Sequence, residues 1–134
     1  MTDTVFSHAL RVYWEDTDAG GVVFYANYLK FFERARTEWL RALGVAQQAL
    51  RDETGAIFIV SATTLRYKAP ARLDDALRIT VELTDTGRAS LVFCQQAWRG
   101  DTLLCEGSIR VGCVDALTFR PRRIPAPVTQ ALAP

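Results

Sequence analysis

A short acidic segment followed by two glycines is the part of this sequence best suited to chemistry. Glu15, Asp16 and Asp18 supply three carboxylates within four residues, and Gly20 and Gly21 follow them. Glycine has no Cβ, so the pair lets the backbone turn sharply beside the acids. An ionised carboxylate can attack an electrophilic carbonyl carbon or take a proton from water. The segment therefore indicates acyl transfer to water as a reaction that these residues could support.

The element that must position the acids is an amphipathic helix predicted just after them. An apolar run over residues 22–25 leads to Asn27, a good N-cap residue, and Gly44 is expected to end the helix in the left-handed conformation. The first turn of a helix presents unpaired N–H groups and the positive end of the helix dipole, which can hold an oxyanion. We expect the acidic loop to lie against this turn. The helix should span about residues 28–43, with one face formed by Tyr28, Phe32, Ala35, Trp39 and Leu43.

Beyond this helix, the chain is predicted to consist mainly of strands. A second short helix is predicted over Val45–Thr54, after which the apolar pattern changes to a period of two. Turn signals such as Asp85-Thr86-Gly87-Arg88 favour hairpins. The order is β-α-β-β-β-β in one domain over residues 1–134, and residues 118–134 are expected to form an extended tail. The strands are predicted over residues 9–14, 56–68, 77–84, 91–99 and 103–114.

Composition restricts the class of protein. With 134 residues, 49% of them hydrophobic, the chain can form one core, and its net charge of +1 does not favour nucleic acid or an anionic membrane as partner. No apolar run approaches the ~20 residues of a membrane-spanning helix, and the N-terminus is unlike a signal peptide. Cys94, Cys105 and Cys113 are odd in number without C-x-x-C spacing. We therefore expect reduced core thiols, no metal site, and a cytoplasmic location.

Simple dimensions predict that the chain does not act as a monomer. Five strands make a sheet roughly 24 Å wide at ~4.8 Å per strand, whereas one helix covers only ~10 Å. The predicted strands also carry apolar residues on their second face, such as Val92, Trp98 and Val114. A second subunit is the expected source of the missing cover.

The segment RVYWEDTDAGGVVFYANYLKFFERARTEWL resembles the signature of the hotdog-fold acyl-CoA thioesterases of the 4-hydroxybenzoyl-CoA thioesterase type. The likeness continues through YKAPARLDD, SLVF, TLLCEG and VGCVDALTFRPRRIP, so it covers nearly the whole chain. Within this family the chain looks most like the small bacterial enzymes associated with the Tol-Pal system. The resemblance implies an α+β hotdog fold, in which a five-stranded antiparallel sheet wraps around one long helix. It also implies that two chains join their sheets in a dimer, often within a homotetramer.

The resemblance assigns roles to particular residues. It implies hydrolysis of acyl-CoA thioesters with no cofactor, with Asp18 as nucleophile or general base and the backbone N–H of Tyr25 as oxyanion donor. A thioester carbonyl is already electrophilic and a thiolate leaves readily, so a carboxylate can suffice without a histidine. Substrate contacts are expected from the residues between them, namely Gly20, Gly21, Val22 and Val23.

Other interpretations of these residues remain open. Asp16 and Asp18 could be turn or capping residues only. A calcium loop also begins D-x-D, but its twelfth position would be Asn27, where a bidentate Glu is required. His8 is the only histidine in the chain, so it alone could serve a Ser-His-Asp triad, and a solvated residue at a strand end is the favoured interpretation.

At the level of function, the alternative is a binding or adaptor protein. Such a protein would hold acyl-CoA, acyl-carrier protein or a cell-envelope partner without turnover.

Charged residues outside the acidic loop also permit two interpretations. Glu33 could be a second carboxylate in the cleft, but it is favoured as a surface partner of Arg36. The phosphates of coenzyme A call for basic residues, and the candidates from turns and tail are Arg88, Arg99, Arg120, Arg122 and Arg123.

Overall fold

The computed structural model describes residues 5–133, which form one five-stranded antiparallel sheet and three α-helices. In chain order the elements are β1 (Phe6–Arg11), a 3-10 turn (Trp14–Asp16), α1 (Asn27–Ala42), α2 (Gln47–Thr54), β2 (Ala56–Tyr67), β3 (Ala76–Thr86), β4 (Ser90–Arg99), β5 (Thr102–Asp115) and α3 (Ala126–Leu132). The strands follow the order β1-β3-β4-β5-β2 across the sheet. The predicted α+β class and the five-stranded antiparallel sheet are confirmed.

Helix α1 packs on one face of the sheet, mainly against β3 and β1, and its apolar side closes the core. Phe31, Phe32 and Ala35 on this helix are completely buried. Burying each phenylalanine contributes roughly 1.5–3 kcal/mol, so this contact holds the helix in place. Gly44 follows the helix with φ of 86°, as predicted for a left-handed stop. Within residues 5–133 no helix is both long and apolar enough to cross a membrane.

The first strand lies earlier in the chain than the sequence predicts. Apolar alternation favours a strand over residues 9–14, but β1 spans Phe6–Arg11 and Trp14 lies in the 3-10 turn, 82% exposed. Strand β3 begins at Ala76, opposite Arg11. Beyond it the Val12 backbone still bonds to Asp74 and Asp75, and the chain then enters the 3-10 turn. Alternation alone does not show where the partner strand ends.

The C-terminal segment is not wholly extended, which corrects the prediction for residues 118–134. Pro125 precedes α3, and Val128 within this helix is completely buried. Proline is tolerated at the start of a helix because its missing N–H would have no intrahelical partner there. Two of the prolines in this segment, Pro125 and Pro127, therefore mark the start of a short helix, whereas Pro121 pairs with Val114 in an antiparallel bridge.

The two edges of the sheet differ in length and exposure. Strand β1 has 6 residues, whereas β2 has 12 and carries exposed apolar side chains such as Ile59 and Val60, 41% and 48% exposed. A long apolar edge strand presents unpaired N–H and C=O groups to solvent, which proteins normally avoid. The β2 edge is therefore the part of the described fold that most requires a partner.

Candidate active site

Backbone hydrogen bonds hold the acidic loop against the chain that leads into α1. Thr17 pairs with Val23 in an antiparallel bridge, and the Asp18 N–H donates to the Val22 carbonyl at 2.9 Å. The Phe24 N–H donates to the Asp16 carbonyl at 2.9 Å. Residues 16–18 therefore run alongside residues 22–24, which brings the acids next to the first turn of the helix as the sequence predicts.

Asp16 is the buried member of the acidic segment, with only 3% of its surface exposed. Its Oδ2 accepts from the Tyr13 N–H and its Oδ1 accepts from the Asn27 side-chain amide, both at 2.8 Å. Asn27 is consequently not the N-cap residue that the sequence predicts. Ala26 occupies that position, and the Asn27 amide instead ties the loop to the helix. Burying a carboxylate is costly unless its oxygens are bonded, so these bonds identify Asp16 as a structural residue.

Asp18 is exposed in the single chain, and its Oδ1 accepts the Gly20 N–H at 2.8 Å. Within residues 5–133 its Oδ2 has no hydrogen-bond donor. The following Gly21 has φ of 78°, a conformation that strongly favours glycine. A Cβ built on Gly20 would lie 3.1 Å from Asp18 Oδ1. The glycine pair thus shapes the turn and keeps space around the carboxylate.

Tyr25 lies between this loop and α1 and is 64% exposed. Within residues 5–133, its backbone N–H makes no hydrogen bond. Its carbonyl accepts from the Tyr67 hydroxyl at 2.9 Å. An N–H without a partner at the start of a helix is the type of donor that an oxyanion requires.

A cavity of about 300 Å³ opens beside Tyr25. Of the four residues predicted to contact substrate, Val23 lines this cavity, whereas Gly20, Gly21 and Val22 belong to the adjoining loop. Tyr67 was assigned no role from the sequence, although the stretch that begins with it forms part of the resemblance. The residues around the cavity are mainly apolar or aromatic: Val23, Tyr25, Tyr28, Tyr67, Lys68, Ala69 and Pro70.

A second cavity of about 290 Å³ lies between α1 and the sheet, with Arg36 and Glu33 in its wall. Arg36 is 9% exposed and donates to Gln95 Oε1 at 2.9 Å, so the surface pair with Glu33 predicted from the sequence is wrong. Burial lowers the pKa of Arg36, and nearby Glu33 partly opposes this shift. Gln95 is fixed because its amide donates to the carbonyls of Phe32 and Thr80. The sequence could have indicated Gln95 as a functional or structural residue, because it is a polar residue on the apolar face of β4.

Two of the arginines considered for phosphate binding make contacts within the fold. Arg99 forms an ion pair with Asp75 at 2.9 Å, and Arg122 donates to the Thr54 carbonyl at 2.7 Å. The three cysteines are free thiols, of which Cys105 and Cys113 are buried and Cys94 is partly buried. Burial raises the pKa of Cys105 to about 12, with a smaller contribution from Glu106. Such a thiol stays protonated at neutral pH and is unsuited to nucleophilic attack.

A five-stranded antiparallel sheet packed against one long helix, with the acidic loop held at the first turn of that helix, is the arrangement of hotdog-fold proteins. Residues 12–132 match the family model described as "Thioesterase-like superfamily". The chain therefore belongs to the thioesterase-like superfamily, which confirms the resemblance noted in the sequence.

Individual relatives support this assignment over nearly the full chain. The chain is 51% identical over 126 residues to the Escherichia coli protein named acyl-CoA thioester hydrolase YbgC, covering 93% of each. It is 43% identical to the acyl-CoA thioesterase YbgC of Haemophilus influenzae, covering 98% of this chain and 96% of that one. The crystal structure of a probable thioesterase from Bartonella henselae superimposes with a TM-score of 0.85 at 30% identity, covering 91% of this chain and 100% of that one.

Proposed function

We propose that this protein hydrolyses acyl-CoA thioesters to a free acid and coenzyme A. The observation that carries the proposal is the placement of Asp18 in a loop bonded to the residues just before α1, where the Tyr25 N–H has no acceptor among the described residues. This arrangement supplies both an acid-base or nucleophilic group and an oxyanion donor. The names of the YbgC relatives support the same reaction.

In this mechanism the thioester carbonyl oxygen accepts a hydrogen bond from the Tyr25 N–H. Asp18 either attacks the carbonyl carbon to form a mixed anhydride, which water then hydrolyses, or takes a proton from a water molecule that attacks the carbon. In both routes the C–S bond breaks and coenzyme A leaves as the thiolate. In both routes negative charge develops on the carbonyl oxygen, where a fixed N–H lowers the barrier. The aromatic cavity beside Tyr25 would receive part of the substrate.

The exposure of Asp18 in the single chain leads to a second part of the proposal. We propose that two copies pair antiparallel through β2, so that the two sheets become continuous and the partner covers the exposed side of the site. The 12-residue apolar edge supports this interface. Sedimentation velocity distinguishes a dimer from a dimer of dimers, and a stable monomer would contradict the pairing.

The proposal places the enzyme in the cytoplasm. Its three free cysteines would remain reduced there, whereas an oxidising compartment favours disulfides. Separate fractionation of cytoplasm and periplasm tests this location.

A thiol-release assay over a panel of short, long and aromatic acyl-CoA thioesters tests the reaction, with acyl-carrier-protein thioesters as a further arm. Asp18→Asn should lower kcat by about a thousandfold, because amide nitrogen and oxygen neither attack nor accept a proton effectively. Glu15→Gln is the matched control, since Glu15 is an exposed acid of the same loop. Wild-type protein that binds these thioesters without turnover would support the binding-protein alternative instead.

A further inference from the structure

Tyr67 ends β2 and contacts the segment that leads into α1. Its hydroxyl donates to the Tyr25 carbonyl at 2.9 Å across 42 residues of sequence. Its ring meets the Tyr25 ring edge-on at a centroid distance of 6.4 Å and lies 5.8 Å from the Tyr28 ring. This contact connects the sheet to the peptide groups that precede α1.

We propose that the Tyr67 hydroxyl is a positioning group of the active site, which holds the 25–26 peptide so that its N–H and the Tyr25 N–H both point to the thioester oxygen. This inference rests on the function proposed above. It adds a second oxyanion donor, the Ala26 N–H, and names the side chain that orients it.

The peptide geometry carries the argument. In a trans peptide the C=O and N–H point in opposite directions, so fixing the carbonyl fixes the direction of the N–H. The Phe24 carbonyl accepts from the Asn27 N–H at 2.8 Å, which fixes the peptide that contains the Tyr25 N–H. The Tyr67 bond fixes the next peptide, which contains the Ala26 N–H. Within residues 5–133, neither the Tyr25 nor the Ala26 N–H has an acceptor.

The two constraints differ in origin. The Asn27 bond is a local turn that the first residues of α1 make by themselves. The Tyr67 bond is long-range, and among residues 5–133 no other group donates to the Tyr25 carbonyl. The Tyr67 backbone pairs with Cys105 of β5, and just beyond it the Lys68 N–H donates to the Leu104 carbonyl at 2.8 Å. The hydroxyl is therefore carried by the rigid sheet.

The protonation state of Tyr67 is consistent with this role. Burial raises the pKa of its hydroxyl above the ordinary value, and Cys105 and Tyr25 add to the shift. A raised pKa keeps the hydroxyl protonated at neutral pH, so it remains a donor to the Tyr25 carbonyl.

Tyr67→Phe tests the proposal because it removes only the hydroxyl and keeps the ring contacts. We expect kcat to fall by about tenfold to a hundredfold while KM stays within about twofold, because misdirected donors weaken binding of the transition state more than of the substrate. Tyr13→Phe is the control, since the exposed Tyr13 hydroxyl has no hydrogen-bond partner among residues 5–133. Circular dichroism melting should show both variants folded.

A spectroscopic measurement separates positioning from a general structural effect. A thioester labelled with carbon-13 at its carbonyl is bound to Asp18→Asn, in which turnover is slow, and its infrared C=O stretch is compared with that in water. Hydrogen bonds to the oxygen shift the stretch to lower frequency, and the shift should shrink in Asp18→Asn/Tyr67→Phe.

The outcomes distinguish this inference from the proposed function. An unchanged kcat in Tyr67→Phe, or an unchanged carbonyl shift in the double variant, would overturn the role of Tyr67 while leaving hydrolysis by Asp18 intact. Failure of the wild-type protein to hydrolyse any thioester would overturn the proposed function itself.

Discussion

Asp16 and Asp18 are the same side chain two residues apart, yet their surroundings differ almost completely. Both carboxylate oxygens of Asp16 accept hydrogen bonds inside the protein, and only 3% of the residue is exposed. Asp18 is exposed, and one of its oxygens accepts the Gly20 N–H. A carboxylate whose lone pairs are occupied holds structure, whereas one with a free oxygen can react. Hydrogen-bond occupancy, more than residue type, therefore distinguishes a carboxylate that holds structure from one that is able to react.

Replacing each acid by its amide, Asp18→Asn and Asp16→Asn, should show the largest difference in catalytic activity between the two positions. Asp18→Asn should lower kcat/KM by about a thousandfold while the melting temperature changes little, because its carboxylate holds only the local turn. Asp16→Asn should lower kcat/KM far less at a temperature where it is folded. Steady-state kinetics beside thermal melting measure both. Equal losses of activity would show that the two acids share one role.

For the free energy of unfolding, we expect substitution of Asp16 to have the larger effect and substitution of Asp18 the smaller. Asp16→Ala leaves the Tyr13 N–H and the Asn27 amide without their acceptor, so we expect the free energy of unfolding to fall by about 2–3 kcal/mol. Asp18→Ala should change it by less than about 1 kcal/mol. Urea denaturation followed by fluorescence measures both values. A larger loss in Asp18→Ala would contradict the structural assignment.

Asn27 offers a further test of the difference between the two acids, because its side-chain amide donates to Asp16 and not to Asp18. Asn27→Ala should cost about 1–2 kcal/mol, since one buried carboxylate oxygen loses its donor. In a double-mutant cycle, Asn27 and Asp16 should couple, whereas Asn27 and Asp18 should be additive. The same urea titrations supply the four free energies. Coupling with Asp18 would mean that the helix start and the exposed carboxylate are not independent.

Substitutions at Gly20 and Gly21 should have the smallest effects, and each should change a different property. Gly21→Ala forces a side chain onto a residue with φ of 78° and should cost about 1 kcal/mol of stability. Gly20→Ala places a Cβ 3.1 Å from Asp18 Oδ1. We therefore expect kcat to decrease by several-fold, with little loss of stability. Parallel melting curves and thiol-release assays separate the two effects. A larger loss of stability in Gly20→Ala than in Gly21→Ala would show that Gly20, not Gly21, maintains the turn.

Much of the fold was predictable because its signals are local. Alternation predicted β2, β4 and β5 to within one residue at each end, and Gly44 ends α1 as expected. The first strand was misplaced because its limit depends on where β3 starts. The end of the chain was misread because prolines that exclude a strand are also compatible with the first turn of a helix.

The family, the long helix and the candidate acids could be read from the sequence, because periodicity, glycine turns and a long composite motif are properties of neighbouring residues. The fold was needed to show which acid is buried, that Arg36 bonds Gln95, and that Tyr67 bonds the Tyr25 carbonyl. Arg36 and Gln95 are 59 residues apart and Tyr67 and Tyr25 are 42 apart. Such pairs form only when the sheet and helix pack together, since no local pattern specifies which distant groups will meet.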